Sequence, residues 1–421
     1  MTAVMEAKDV YLSDFERFEK EPPRGEPGFV RRLRQGAMAR FDQLGFPGPR
    51  DEEWRFTPVA PLARVPFELA PADDGLSFRV EGPELPEGVL LTTLAEALAN
   101  YPQLVEPHLA RYADFKSHPF VALNTAFLRD GLFVHVPRGR VVEGTIYLEH
   151  RTPAGDRPLV RHRRALVVLE ENSRAAVVES YRGGAGTYFT NGVTEIVLAP
   201  GARLDHYKVQ EEGAEAFHVH TTQTRLDRGS VLRSLAVTLG GGWVRNEVNA
   251  AFTDEDAEAT LNGLYLGDDD QLLANYTRID HAKPRCTSHE LYKGILGGKA
   301  RGVFNGKIYV HPDAQKTDAK QTNQTLLLSE DAVIDTKPQL EIFADDVKCT
   351  HGATVGQLDE QQVFYLRSRG VGEAQARALL TYAFANDIVR RIQVEPVRAR
   401  LEDVLLARQH LPRETEVTEA P

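Results

Sequence analysis

The hydrophobic pattern divides the chain into three stretches. Up to about residue 115 it reads as helices broken by loops. Phe29, Val30, Leu33, Ala37 and Phe41 fall at near-helical spacing and stop at Gly45-Phe46-Pro47. Thr92 or Thr93 can cap a second helix carrying Leu94, Ala97 and Leu98, which ends before Pro102. From about residue 118, short runs of Val, Ile, Leu and Thr alternate with Gly, Asp and Asn corners, and helical spacing disappears. Helix returns after residue 358. Asp359 to Arg369 ends at Gly370, Glu373 to Ile392 carries Ala376, Leu379, Leu380, Ala383, Phe384 and Ile388, and Pro396 to Leu411 carries Val397, Leu401, Val404 and Leu405. The polar tail after Pro412 is expected to fray. The expected units are therefore an N-terminal helical one (1–117), a β core (118–357) and a C-terminal helical one (358–421).

The middle stretch repeats itself. Leu169-Glu-Glu-Asn172, Leu198-Ala-Pro-Gly201, Leu226-Asp-Arg-Gly229 and Leu328-Ser-Glu-Asp331 share a corner pattern, and Phe252 to Asp256 fits it with one inserted residue. The corners at 172, 201, 229, 256 and 331 are 29, 28, 27 and 75 residues apart, the last gap reading as three turns. A second ladder, Leu239-Gly240, Leu266-Gly267 and Leu296-Gly297, runs between them at spacings of 27 and 30. Two interleaved corner ladders of one period describe a coil of strands in which each turn buries its faces against the next. An ordinary sandwich, the alternative, would not repeat its turns in two registers. The expected fold is mainly β, a β-solenoid flanked by helices.

Composition narrows the function. Fifty basic against sixty-one acidic side chains leave a formal charge of −11, which argues against nucleic-acid or anionic-membrane binding. No run approaches 18 apolar residues, and Met1 to Val10 lack the layout of a signal peptide, so a cytoplasmic protein is expected. The chain's two cysteines, Cys286 and Cys349, exclude a disulfide framework and any four-thiolate zinc or iron–sulfur site within one chain. Phosphate-cradling glycine loops, H-E-x-x-H and G-x-S-x-G are absent, so nucleotide binding by this chain is not expected.

Four groups of residues could carry chemistry. His218 and His220 share a strand face, as metal ligands or as plain surface or ladder histidines. His281, Cys286, His289 and Glu290 crowd ten residues without matching a zinc template, and Asp268-Asp269-Asp270 reads as a solvated turn. The polar run Gln315 to Ser329 reads as hydrogen-bonding between turns. The sharpest group is Lys348-Cys349-Thr350-His351-Gly352. On a strand, Cys349 and His351 face the same way, and a thiolate with an imidazole suits iron or zinc. Two ligands do not complete a site, so another chain must supply the rest. A buried cysteine beside a surface histidine is the alternative.

Several of these blocks resemble the SufB/SufD family of iron–sulfur cluster assembly proteins. They are Arg301-Gly-Val-Phe-Asn-Gly-Lys-Ile-Tyr-Val310 with the polar run after it, Asp345-Asp-Val-Lys-Cys349-Thr-His351-Gly-Ala-Thr-Val-Gly356, Phe364-Tyr-Leu-Arg-Ser-Arg-Gly370, Asp280-His281 through Gly294, and Glu53-Trp54-Arg55-Phe56-Thr57. The Lys-Cys-x-His-Gly-Ala-Thr signature and the small cysteine count are similar to the SufD branch. The resemblance implies a right-handed parallel β-helix between helical domains. It also implies a non-catalytic scaffold subunit that works with SufB and the ATPase SufC. A transient Fe–S cluster would form at the SufB interface, with His351 as ligand and Cys349 beside it. The C-terminal helices would dock the ATPase, with Phe364, Tyr365, Leu379, Ala383 and Phe384 as anchors. A cytosolic β-solenoid enzyme acting on carbohydrate and a homodimeric Fe–S scaffold are the rival readings.

Overall fold

The computed structural model describes residues 2–20, 26–71 and 75–411; the tail expected to fray lies outside them. The core is a β-solenoid of about eight turns, built from two sheets that share the chain strand by strand. One sheet begins with Leu90–Thr93 and Leu132–Val136 and ends at Arg301–Val310 and Val333–Ile342. The other begins with Leu76–Glu81 and Val141–Thr152 and ends at Asp318–Leu327 and Lys348–Gly356. Parallel pairing in long uninterrupted register holds the turns together; Trp243 pairs with Leu272 and Leu272 with Arg301. Only the opening strands Leu76–Glu81 and Leu90–Thr93 pair antiparallel with their neighbours.

One corner stacks residues in the left-handed region: Gly139, Asn172, Gly201, Gly229, Asp256, Arg285 and Lys316, with φ between 58° and 70°. Each amide donates to the carbonyl one turn further on, as Gly201 does to Arg228 (2.8 Å), Arg285 to Gln315 (2.9 Å) and Lys316 to Asp346 (2.7 Å). Two expectations need correction here. The ladder continues through Arg285 and Lys316, whereas Asp331 follows a strand of the other sheet and belongs to the opposite corner. That opposite corner is the second expected ladder, where Gly297 donates to Gly267 (2.9 Å). The early part of the chain is also not all helix, because Glu68–Leu69, Leu76–Glu81 and Leu90–Thr93 are strands of the sheets, and helix Pro119–Ala126 interrupts the β region. Thr93 caps Leu94–Asn100 with a full capping box through Glu96, as its spacing predicts.

Helices roof both outer faces. Phe41, Phe46, Trp54, Phe67 and Phe120 pack over Phe189, Val219 and Trp243 of the first sheet. Ile388, Val389, Val397 and Leu401 of the C-terminal helices pack over Val209, Leu235, Val237 and Leu264 of the second. The Glu53 to Thr57 motif is a clasp for the first of these roofs. Arg245 lies between the Trp54 ring (3.7 Å) and the Tyr276 ring (3.6 Å) and donates to the Glu53 carbonyl (2.8 Å), while Thr57 Oγ1 meets the Tyr276 hydroxyl at 2.9 Å. A desolvated cation over an aromatic face contributes about 2 kcal/mol. Among the described residues no helix is long and apolar enough to cross a membrane.

Candidate ligand site at the open end of the solenoid

Lys348–Gly356 is the last strand of its sheet, and its register fixes what lies beneath each residue. Cys349 pairs with Ala319 and His351 with Gln321, both fully buried and facing the solenoid interior. Cys349 and His351 therefore share the inward row, as the period-two spacing predicts. Among the described residues no further turn covers that row. Cys349 is half-buried against Ile308, Val310, Ala314 and Ala319, and His351 is exposed. Burial, with Asp318 nearby, raises the Cys349 thiol above its ordinary range. The thiol is thus protonated at rest and must release that proton to bind a metal. Both terminal strands also leave one edge without a partner strand, beside the exposed apolar side chains of Val333, Phe343 and Val355.

Below His351 the same column continues with Gln321 and then Glu290, both buried. Gln321 Nε2 donates to Glu290 Oε2 at 2.7 Å, the inter-turn bonding expected of the polar run. Burial pushes the Glu290 carboxyl up to about 7, against the opposing pull of nearby Thr277 and of the Gln321 amide.

The other sequence candidates do not gather into sites. His218 and His220 face the interior rather than the surface, inside a dense polar network. His218 Nδ1 lies 2.6 Å from Glu212 and its Nε2 2.8 Å from the Lys208 ammonium. His220 lies 3.3 Å from Thr194 and 3.7 Å from Glu179. Burial is the first cause that pushes His220 down to about 3 and Lys208 to about 7. The His281 group splits between faces. His281 bonds Ser288 (2.8 Å), Cys286 is buried with its thiol pushed up to about 11 by desolvation, Glu290 faces inward, and His289 is exposed on the opposite side of its strand. Asp268 and Asp269 form a corner, with Asp269 at φ 52° and its amide bonded to the Asp268 carboxylate. Among the described residues no group of three or more His, Cys, Asp or Glu is arranged as a metal site.

At the C-terminus, Phe364 (71% exposed) and Tyr365 (56%) stand out in solvent. Leu379 and Phe384 are half-buried and Ala383 is exposed, while the buried face of their helix is Ala376, Ala385, Ile388 and Val389.

Sequence reasoning missed the hub of the polar network, Glu179. It is fully buried with His150 at 3.3 Å, His206 at 3.4 Å, the Tyr181 hydroxyl at 2.6 Å and Thr194 at 2.8 Å. Hydrogen bonds from His150, His206 and His220 overcome the upward push of burial and hold its carboxyl well below the usual range. The available signal was the run of polar residues at alternate positions, His206, Lys208 and Gln210, opposite His218 and His220.

A parallel β-helix roofed by helices on both faces, with a thiol and an imidazole on its last uncovered row, defines the class: a helix-flanked β-solenoid with an open end. A family model described as SUF system FeS cluster assembly, SufBD core domain, matches residues 150–384, and one described as SufBD protein N-terminal region matches residues 77–148. The chain is 32% identical over 411 residues to an iron–sulfur cluster assembly SufBD family protein of Synechocystis, covering 89% of this chain and 90% of the relative. It is 31% identical over 398 residues to the iron–sulfur cluster assembly protein SufD of Escherichia coli (91% and 93%), and 24% identical over 412 residues to SufD of Bacillus subtilis (90% and 94%). The chain belongs to the SufBD family of iron–sulfur cluster assembly proteins.

Proposed function

We propose that this chain is a SufD-type scaffold subunit that assembles nascent Fe–S clusters with SufB and the ATPase SufC and passes them to apo-proteins in the cytoplasm. The observation that carries the reading is the placement of Cys349 and His351 on an inward row that nothing covers, at an unpaired sheet edge. A cluster needs about four ligands. This row offers two, so a partner strand lying along the same edge would complete the set. The imidazole of His351 binds through a ring nitrogen, whereas the Cys349 thiol must first lose its proton. His351 is therefore the primary ligand and Cys349 the secondary one. In the absence of SufB, a second copy of this chain would use the same edge, which is the homodimeric variant of the reading. The chain itself supplies no catalysis in this scheme; rearrangement of the interface is driven by the ATPase, docked on residues 358–421.

The test is anaerobic purification of the complex formed with SufB and SufC. His351→Ala is expected to lose most iron and acid-labile sulfide while subunit association persists, because truncating one exposed side chain changes stability by about 0.5 kcal/mol or less. Cys349→Ser is expected to lose less. Wild-type loading in His351→Ala would remove this residue from the site. For ATPase docking, Phe364→Ala with Tyr365→Ala is the right probe. Deleting the helices would strip the apolar roof from Val209, Leu235 and Leu264, whereas these two exposed rings contribute little to folding. The double variant is expected to lose the ATPase on a pull-down; full retention would move the docking surface elsewhere.

A further inference from the structure

Read inward from the open end, the column beneath His351 runs Gln321, Glu290, Leu261, Ser234 and His206, so two buried polar residues stand near the open end, cut off by Leu261 from the polar residues further in. Nothing in the packing demands this, since Ala319 and Ser288 fill the adjacent column at the same level without charge. The two buried side chains satisfy each other only in part. Glu290 is 3% exposed and Gln321 1%, yet Glu290 Oε1 and Gln321 Oε1 have no hydrogen-bond partner. Each such buried orphan costs about 1–3 kcal/mol. The Thr277 hydroxyl, close to Glu290 from the opposite sheet, is unpartnered as well. Gly306, facing Gln321 across the interior, makes room for it, since a Cβ there would lie 2.2 Å from Gln321 Nε2. The result is two free oxygens on hydrogen-bonded neighbours in the interior, one of them from a carboxylate.

We propose that Glu290 and Gln321 form an inner site for a divalent cation, two strand spacings (about 10 Å) below His351. Carboxylate, amide and hydroxyl oxygens are hard donors that suit Mn²⁺, Mg²⁺ or ferrous iron and disfavour a sulfur-bound cluster. One carboxylate gives a weak site with water in the remaining positions, fit to hold an ion temporarily. Identifying the cargo as ferrous iron rests on the cluster-assembly reading; the site itself does not.

The full-length protein carrying Cys349→Ser and His351→Ala, which removes the outer ligands, would be titrated with Mn²⁺ alone, reading the loss of the free-ion electron paramagnetic resonance signal. It is expected to bind one Mn²⁺. Adding Glu290→Gln, which is isosteric and keeps the fold, is expected to weaken that binding by at least about tenfold, and Gln321→Leu is expected to weaken it too. Unchanged binding in the Glu290→Gln protein would overturn the site. So would no Mn²⁺ binding in the parent, leaving ordered water as the occupant. Either result is independent of whether His351→Ala alone loses cluster, so a failed inner site and a failed cluster site are told apart.

Discussion

Glu179 and Glu290 are both buried in the solenoid interior, and their surroundings are opposite. Glu179, in the second turn from the N-terminal end, gathers three imidazoles and two hydroxyls, and its charge is held. Glu290, near the open end, has a hydrogen bond from Gln321 alone, one free oxygen, and a carboxyl pushed up to about 7. The fold surrounds one buried glutamate with several donors and leaves the other, near the open end, with a single one. That contrast separates a structural polar core from the proposed inner site.

The largest expected effect breaks the satisfied side. Glu179→Gln replaces a carboxylate by an amide whose NH₂ must face donors, leaving buried imidazole N–H groups without an acceptor. Breaking a buried network from one side costs about 3–5 kcal/mol. Chemical denaturation of the full chain should show the midpoint falling accordingly. An unchanged midpoint would mean that the network contributes packing alone.

The contrast also explains what could be read from the sequence. The solenoid was legible because its corners need left-handed residues, and Asn172, Gly201, Gly229 and Asp256 supply them with the residue types that favour that region. Arg285 and Lys316 do the same job with side chains that carry no such signal, so the ladder was lost after Asp256 and picked up wrongly at Asp331. The polar interior was hidden for a different reason. Alternation is ordinarily read as apolar-in, polar-out. In Arg203–Glu211 it is inverted: His206, Lys208 and Gln210 point inward while Tyr207 and Val209 point outward beneath the C-terminal helices, where Tyr207 accepts a bond from the Gln393 amide at 3.0 Å. A roofed sheet has two interiors, and the strand pattern alone does not say which is which. For the candidate site, the shared face of Cys349 and His351 was legible from their spacing. That this face is the solenoid interior, with Gln321 and Glu290 beneath, comes only from a register between strands 30 residues apart, Gln321 pairing with His351.

A smaller effect sharpens the unsatisfied side, and its sign differs from that of Glu179→Gln. In the unfolded chain Glu290 ionises near its ordinary 4.5, but in the fold it keeps its proton until about 7. The folded state therefore binds more protons across that window, and its stability falls as pH rises from about 4.5 to 7. At about 1.4 kcal/mol per pH unit the loss reaches roughly 3 kcal/mol above pH 7. Glu290→Gln has no proton to lose and removes this slope. It should match the parent near pH 4.5 and exceed it by up to about 3 kcal/mol at pH 8, measured as the difference between two denaturation curves at each pH. Parallel curves would mean that Glu290 ionises normally, and its likeness to Glu179 would then outweigh the contrast. A saturating divalent cation should shrink the gap at pH 8 by stabilising the parent and not the variant, because only a carboxylate offers the ion a charge. A residue whose removal stabilises the free protein and weakens its hold on a cation is one retained for binding rather than for folding.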